Sequence, residues 1–210
     1  MSAPATLLVI DTALDAQSLA LLAGDTVLAA HHDVIGRGHA EALLPAIAAL
    51  LARAGVARPD AIAVDIGPGS FTGLRIGIAA ARALGLAWEV PVGGYASLAL
   101  IAAPWFAADA DLAALTAVAA TGRATLYVQT LRRDLTASAL PVALDPAAAA
   151  AMLDPLVPLA GPGAARIAAH CHFAVLGDDW PAARDVRLLP LAARTLPPVP
   201  HYVGGQGAAA

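Results

Sequence analysis

The sequence predicts an α/β protein with a mixed sheet that carries helices on its faces. Three short apolar segments joined by turn signals come first, and a long amphipathic helix pattern follows them. Beyond that helix, strand and helix patterns alternate, so the order is β-β-β-α-β-α. Hydrophobic residues make up 59% of the 210 residues, which is enough for a sizeable core even though many of them are alanine.

Each element of the first half has a local signal. Gly24-Asp25 marks a hairpin, and Gly55 stops the first helix, whose apolar residues recur at helical spacing. The predicted elements are strands at 6–11, 18–23 and 26–33, a helix at 38–54, a strand at 61–66, a helix ending at residue 84 with Gly85 as its stop, and a strand near Val92. This order requires a mixed sheet, because crossover helices join parallel strands.

The run GPGSFTGLRIG at 67–77 is the most informative motif. Its glycines allow a sharp turn and a close backbone approach, and Ser70 or Thr72 can cap the following helix. The chain contains no lysine, so a Walker loop is excluded. Thr72 stands where a dinucleotide motif or a nucleophile elbow needs glycine. Ser70 is therefore predicted to be a cap, and phosphate contact of another kind stays open.

Two acids end predicted strands. Asp11 and Asp65 could hold Mg²⁺ or orient a water molecule. Alternatively, Asp11 caps the turn that follows it and Asp65 is a satisfied loop acid. The second interpretation, in which both acids have structural roles, is favoured, because the second half offers no matching phosphate loop.

Composition narrows the function. A net charge of −4 argues against a chain that binds nucleic acid by itself, since such binding needs clustered Lys and Arg. The single cysteine, Cys171, excludes an internal disulfide, and no second ligand pair supports a metal site beside it. No signal peptide is indicated, so we expect a cytoplasmic protein. The uncharged run 90–108 is broken by proline and glycine, which predicts a strand and a helix and no membrane span.

The second half has weaker signals. Predicted strands at 112–120 and 124–131 flank a turn, and the adjacent Arg132 and Arg133 are assigned to a solvated hairpin turn. Later elements are helices at 146–153 and 164–170, the latter after Gly161-Pro162-Gly163, a strand at 173–176 and a last helix at 186–195 interrupted by Pro190. The predicted domains are 1–105 and 106–203, with a disordered tail at 204–210.

The motif at 67–77 resembles the signature of the TsaB (YeaZ) family. Upstream, the Asp11-Thr12-Ala13 turn and the segment HAEALLPAI at 39–47 resemble the same family, so the resemblance covers residues 6 to 100 in order. It implies two ribonuclease-H-like domains, the fold of actin, Hsp70 and sugar kinase ATPases, with the second domain reduced. It also implies a non-catalytic subunit of the bacterial machinery that makes N6-threonylcarbamoyladenosine beside the tRNA anticodon.

The resemblance implies partners as well. These are a TsaD-type catalytic paralogue and a TsaE-type ATPase, a homodimer when the chain is alone, and tRNA only through the complex. No cofactor of its own is expected, although ATP could bind at the complex interface. No catalytic or metal-binding residue is expected, because Ala96 and Leu100 stand where the paralogue carries its HxxxH metal pair.

The resemblance assigns site residues on two helices. The expected partner interface comprises His39, Leu43, Ile47, Leu51, Gly73, Arg75, Gly77, Ala80 and Leu84. Arg75 and Arg82 would form its polar rim. The candidate nucleotide or phosphate contacts are Asp11, Thr12, Gly69, Ser70 and Thr72.

A rival hypothesis is an active small-molecule kinase or ATPase of the same fold. In that case Asp11 and the glycine loop would bind Mg-ATP without a partner chain. The missing second phosphate loop counts against this rival. A peptidase is not supported, since no nucleophile, base and metal occur together. Ala120, Thr125 and Gly204 depart from the family pattern in the second half.

Overall fold

The computed structural model describes residues 5–122 and 124–204, which form two five-stranded sheets. The first sheet contains β1 (Leu7–Asp11), β2 (Ala16–Ala23), β3 (Thr26–Val34), β4 (Ala61–Asp65) and β5 (Val92–Tyr95). Their order across the sheet is β3-β2-β1-β4-β5. The first three strands are antiparallel, whereas β1, β4 and β5 are parallel. The predicted mixed sheet is therefore confirmed.

Helices cover both faces of the first sheet. They are α1 (His39–Ala54), α2 (Phe71–Trp88) and α3 (Ser97–Ala108). On one face, α1 and α2 bury Leu43, Ile47 and Ile78 against β-strand side chains such as Leu8 and Leu19. On the other face, α3 and a 3-10 segment, Ala183–Leu188, cover the opposite side of the same strands. Each fully buried leucine contributes about 1.5–3 kcal/mol to this packing.

The end of α2 differs from the prediction. Gly85 is predicted to stop the helix, but α2 continues to Trp88 and ends at Glu89, whose φ is 57°. Gly85 lies buried inside the helix, where a Cβ would collide with the side chain of Val92. The glycine therefore permits close packing of α2 on β5 and does not end the helix.

The second sheet contains β6 (Ala114–Thr121), β7 (Thr125–Arg132), β8 (Val142–Leu144), β9 (Leu159–Ala160) and β10 (Val175–Gly177). Its order is β10-β9-β6-β7-β8, and its helices are α4 (Pro146–Met152) and α5 (Ala164–Ala168). The sequence analysis missed β8 and β9, because strands of three and two residues carry no periodic signal.

The last predicted helix, 186–195, is wrong. Two 3-10 segments, Ala183–Leu188 and Leu191–Arg194, occupy this region, and Pro190 separates them. Pro190 lacks an N–H and cannot continue a helix. The solvated turn expected at Arg132 and Arg133 is confirmed, since both residues are exposed where the chain turns after β7. The Arg133 guanidinium also donates to the carbonyl oxygens of Phe106 at 2.7 Å and Leu112 at 2.8 Å.

The chain returns to the first sheet after the second sheet is complete. Gly94 and Leu196 exchange two backbone hydrogen bonds, of 2.6 and 3.0 Å, along the free edge of β5. Further on, the His201 N–H donates to the Ile66 carbonyl oxygen at 2.7 Å. Of the predicted tail, only Gly204 lies within the described residues.

The run 90–108 forms β5 and α3, as predicted. Within the described parts of the chain, every helix is too short or too polar to cross a membrane.

Candidate functional site

The glycine loop packs against the turn after β1. The Ser70 N–H donates to the Ala13 carbonyl oxygen at 2.7 Å. A Cβ at Gly69 would lie 2.5 Å from the same oxygen, so only glycine fits between the two segments. The spacing of the glycines thus correctly indicated a close backbone approach, and the approach is to the chain's own β1–β2 turn.

Ser70 caps α2, as predicted. Its side chain accepts a hydrogen bond from the Gly73 N–H at 3.3 Å, which satisfies one of the free donors of the first turn. A hydroxyl in this role points at the backbone of its own helix. Thr72, the other candidate cap, is exposed on the first turn.

The small-residue stripe of α2 faces inward, which corrects the expected interface. Gly73 and Gly77 are buried. A Cβ at Gly73 would collide with the Thr12 carbonyl oxygen, and a Cβ at Gly77 would lie 2.5 Å from Thr12 Oγ1. The Thr12 hydroxyl itself donates to the Gly73 carbonyl oxygen at 2.8 Å. These glycines let α2 dock onto β1 and are not available to another chain.

The predicted face of α1 is likewise part of the core. Leu43 and Ile47 are 1% and 3% exposed, and His39 and Leu51 are each 7% exposed. They pack against the first sheet because the apolar stripe of an amphipathic helix covers its own core first. Of the expected interface residues on α2, Arg75 is exposed, and Ala80 and Leu84 are half-buried.

The opposite sides of α1 and α2 are exposed and largely apolar. We call this surface the outer face, and it includes Leu44, Ala48, Phe71, Ala79, Ala83 and Leu86. Leu44, Phe71 and Leu86 are 54%, 57% and 84% exposed. Single exposed apolar side chains are ordinary, but a contiguous patch of them marks an interaction surface.

Aromatic and basic groups border the outer face. The Phe71 ring lies 5.2 Å from the ring of Tyr202, and the Arg75 guanidinium lies 5.0 Å from the Phe71 centroid. Arg82 donates to the Pro198 carbonyl oxygen at 2.8 Å, so it holds the C-terminal segment beside α2. The two expected rim arginines therefore both interact within the chain.

The two strand-end acids meet beneath the glycine loop. Because Ile10 pairs with Val64 in parallel strands, Asp11 and Asp65 emerge side by side. Asp11 Oδ1 accepts from the Ala13 N–H at 3.0 Å. Asp65 Oδ1 accepts from the Gly67 N–H at 2.6 Å and from the Ser97 hydroxyl at 2.7 Å. The cap predicted at Asp11 matches its contact with Ala13, and Asp65, predicted to be a satisfied loop acid, has partners for one of its two oxygens.

The remaining oxygen of each acid is buried and has no hydrogen-bond partner among the described residues. Two ionised carboxylates cannot donate to one another, whereas a single shared proton satisfies both oxygens. Burial raises the pKa of Asp11 well above its usual range, and the neighbouring Asp65 raises it further. Burial also raises the pKa of Asp65, to about 7, although hydrogen bonds from Ser97 and Gly67 oppose the shift. The pair therefore holds at least one proton near neutral pH.

A cavity of about 450 Å³ lies between the starts of α1 and α2. Of the predicted phosphate contacts, Thr12, Ser70 and Thr72 line it, whereas Asp11 and Gly69 do not. Arg37 and His39 also line it, as do the acids Asp15 and Glu41. The structure thus brings together part of the predicted phosphate set and two residues of the predicted interface, His39 and Gly73.

Two features leave this cavity with unused donors. The N-cap of α1 is Gly38, and no described side chain caps this helix. The His39 Nε2 atom is buried and has no partner among the described groups. Because the start of a helix carries a partial positive charge, α1 and α2 both direct a partial positive charge toward this cavity. Arg37 was not among the predicted contacts, because only the turn before α1 brings it to the cavity that Ser70 also lines.

The sequence analysis also missed Tyr95 and Ser97, which surround the acid pair. The Tyr95 hydroxyl donates to the Ile10 carbonyl oxygen at 3.2 Å, and burial with the charges of Asp11 and Asp65 raises its pKa. Their position at the end of β5 is the signal that could have found them, because parallel strands end at one edge.

Comparison with protein families places the chain among tRNA-modification proteins. The family model described as "TsaD: tRNA N6-adenosine threonylcarbamoyltransferase" matches residues 31–192. The tRNA threonylcarbamoyladenosine biosynthesis protein TsaB of Escherichia coli (strain K12) is 41% identical over 98 residues, which cover 46% of this chain and 42% of that relative. The match therefore spans less than half of that relative's length.

Similarity to solved structures covers nearly the whole chain. YeaZ from Pseudomonas aeruginosa has a TM-score of 0.77 and 29% identity, over 95% of this chain and 100% of that one. An activator of 2-hydroxyisocaproyl-CoA dehydratase from Clostridium difficile has a TM-score of 0.50 and 10% identity, over 91% and 94% of the two chains. The second likeness concerns the fold alone. The predicted fold class, ribonuclease-H-like and related to the actin-type ATPases, is confirmed.

Proposed function

This chain belongs to the tRNA N6-adenosine threonylcarbamoyltransferase family, and within it to the TsaB (YeaZ) branch, and from this premise we propose that it is a non-catalytic subunit in the biosynthesis of threonylcarbamoyladenosine in tRNA. In this proposal it works in the cytoplasm and binds a TsaD-type catalytic paralogue. A TsaE-type ATPase joins the assembly, and tRNA is contacted through the complex.

The outer face of α1 and α2 carries the proposal. It exposes Leu44, Phe71 and Leu86 around alanines, and small side chains allow another helix pair to approach closely. Burying this surface contributes about 25 cal/mol per Å² of apolar area removed from water. The same patch can pair with a second copy of the chain when the paralogue is absent, because a twofold-symmetric interface is formed by the same surface of each copy.

The state of the two strand-end acids favours a non-catalytic role over the kinase alternative. Asp11 and Asp65 are 1% and 2% exposed, and each is directed at its neighbour and at backbone donors. A carboxylate that binds a metal–phosphate centre must be ionised and reachable, whereas both acids of this pair are buried and the pKa of each is raised.

ATP is proposed at the interface and not within the chain alone. The cavity lies between the starts of α1 and α2, the two helices of the outer face, and Arg37 lines it. These groups suit phosphate oxygens. Asp15 and Glu41 on the same cavity oppose a polyanion, so cationic groups of a partner would be needed for tight binding.

Co-purification with the TsaD-type paralogue of the same organism tests the proposal. We expect a stable heteromer by light scattering, and we expect Ala79→Arg in the outer face to abolish it. Ala151→Arg is the matched control, since Ala151 is exposed on α4 in the other half. Normal assembly of Ala79→Arg would show that the outer face is not the interface. ATP hydrolysis by the chain alone, without any heteromer, would favour the kinase alternative.

A further inference from the structure

A second cavity, of about 500 Å³, lies on the opposite face of the first sheet from the outer face. Its walls come from the end of β3, from α3 and from the segment that leads into the first 3-10 helix. Cavities of roughly 300–1,000 Å³ hold small organic ligands. Because α1 and α2 lie across the sheet, a partner on the outer face would leave this cavity open.

Aromatic side chains are concentrated here. The chain has three tryptophans, and two of them, Trp105 and Trp180, line this cavity. Leu100 and Ile101 of α3 complete an apolar wall. A Cβ at Gly177 would lie 2.6 Å from Trp105 Cζ2, so the glycine allows β10 to support the indole ring from one side. Half-buried indoles beside an open volume offer flat surfaces for stacking.

The charged groups that line the cavity nearly offset one another, with one acid in excess. Asp179 and Asp185 supply carboxylates, and Arg184 supplies a guanidinium. Arg187 lies 3.9 Å from Asp185 and offsets its charge. His32 stands at the rim, and burial with the nearby Arg184 lowers its pKa, so it is neutral at pH 7. The lining therefore favours neither a strong anion nor a strong cation.

The cavity is tied to the first sheet by hydrogen bonds. The Ser18 hydroxyl of β2 accepts from the Ala183 N–H at 2.8 Å, and it lies 3.1 Å from His32 Nδ1. These contacts join β2, β3 and the 3-10 segment at one point. A site held by regular elements is already shaped for its ligand before binding, which lowers the entropy cost.

We propose that this cavity binds the nucleobase of an uncharged nucleoside. Flat apolar walls suit a planar heterocycle, and the carboxylates of Asp179 and Asp185 can accept from its ring or exocyclic N–H groups. Arg184 can donate to ring nitrogens or carbonyl oxygens. The site goes beyond the proposed scaffold function, because it needs neither the paralogue nor the outer face.

The same lining disfavours phosphorylated ligands. A nucleotide or an RNA strand would bring its phosphates to a rim that carries Asp179 and Asp185 against the single Arg184 of the lining. Like charges in contact near a protein surface repel one another, because water screens them only in part. The free nucleoside should therefore bind more tightly than its monophosphate or a short oligoribonucleotide.

Titration of the full chain with adenosine, guanosine, cytidine and uridine tests this site. We expect saturable quenching of tryptophan fluorescence by at least one nucleoside, together with a calorimetric binding signal. Trp180→Ala should weaken binding about tenfold or more, as expected when one stacking partner is lost. Trp88→Phe is the matched control, because Trp88 ends α2 and does not line the cavity.

Three outcomes would overturn the inference. They are no saturable binding of any nucleoside up to about 5 mM, the range of the weakest specific ligands, unchanged affinity in Trp180→Ala, or tighter binding of choline than of every nucleoside. Tighter binding of adenosine monophosphate or of a single-stranded hexaribonucleotide would show that phosphate is part of the ligand, which contradicts the uncharged class. Asp179→Asn supplies a second variant at an exposed position, and it should weaken binding without altering thermal unfolding.

Discussion

The two sheets follow the same plan, yet the outer face and the acid pair both belong to the first. In each, three antiparallel strands are followed by two parallel ones. In each, the sequence Gly-Pro-Gly comes after the fourth strand, at 67–69 and at 161–163. Gly67 and Gly161 have almost equal φ values, 104° and 105°. The expectation that the second half has no loop matching the first is therefore wrong. The loop is a recurring way to turn a strand into a helix, and it does not by itself make a binding site.

The helices after the two loops differ in length and in their caps. The first loop starts α2, which has 18 residues, and the second starts α5, which has five. Ser70 caps the first helix, whereas Asp178 accepts from the Gly163 and Ala165 N–H groups of the second. The acid pair is also confined to the first sheet, since β6 ends in Thr121 and β9 in Ala160. The long helix α2 and the buried acid pair distinguish the first half from the second, whereas the Gly-Pro-Gly loop occurs in both.

The largest expected effect concerns the loops themselves. Gly161→Ala should lower the free energy of unfolding by about 3 kcal/mol or more, because its Cβ would meet the Val118 carbonyl oxygen and lie 2.7 Å from Ile101 Cγ2, at a positive φ. Gly67→Ala should cost about 2 kcal/mol, since its nearest neighbours lie at 3.0 and 3.1 Å. Denaturant unfolding measures both. Equal stability of Gly161→Ala and the parent would show that the second loop is not a packing device.

A second test separates the inner and outer sides of α2. Gly77→Leu should destabilise the chain by about 3 kcal/mol, because even a Cβ would lie 2.5 Å from Thr12 Oγ1. Ala79→Leu, on the exposed side, should stay within about 0.5 kcal/mol of the parent. If thermal unfolding shows the reverse order, α2 does not pack on β1 as described.

The acid pair predicts a pH dependence that the second sheet lacks. The pKa of both acids is raised in the folded state, so the folded chain binds more protons than the unfolded chain between about pH 4 and 7. Stability should therefore fall as the pH rises through this range, by up to about 1.4 kcal/mol per pH unit for each proton that the folded chain retains.

Asn substitution tests the origin of that dependence. In Asp11→Asn, the amide can donate to Asp65 at every pH, so the slope between pH 4 and 7 should flatten. Asp25→Asn, in the exposed β2–β3 hairpin, should keep the parent slope. Unfolding by urea at several pH values gives the slopes. A parent-like slope in Asp11→Asn would exclude the shared proton.

The smallest effect compares the two helix caps. Ser70→Ala and Asp178→Ala each remove a cap and should each cost about 1 kcal/mol. Differential scanning calorimetry can resolve losses of this size. A much larger loss for Asp178→Ala would mean that α5 depends on this side chain for more than capping.

Local signals predicted the element order of the first half and the cap at Ser70 because neighbouring residues determine them. The partner face could not be predicted in this way. The regular apolar stripe of α1, including Leu43 and Ile47, belongs to the chain's own core, and the exposed side is marked mainly by alanines without a periodic pattern. Periodicity shows which side of a helix is buried, but it does not show whether the chain's own core or a partner chain covers that side.

Glycine spacing and the acids illustrate a second limit. Spacing showed that Gly73 and Gly77 permit close contact, but the contact is with Thr12, which only the fold brings near. Asp11 and Asp65 meet through the parallel register of β1 and β4. The pKa values of both acids are raised by burial at that register, so no local pattern could reveal the shift.

The return of the chain to β5 bears on how the molecule folds. Leu196 pairs with Gly94, and Ala183 and Val186 cover the apolar side of β1 and β2. A fragment that ends near residue 105 would therefore leave an unpaired strand edge and exposed core side chains. The two sheets should lose their structure in a single cooperative transition, and neither half should behave as an autonomous folding unit.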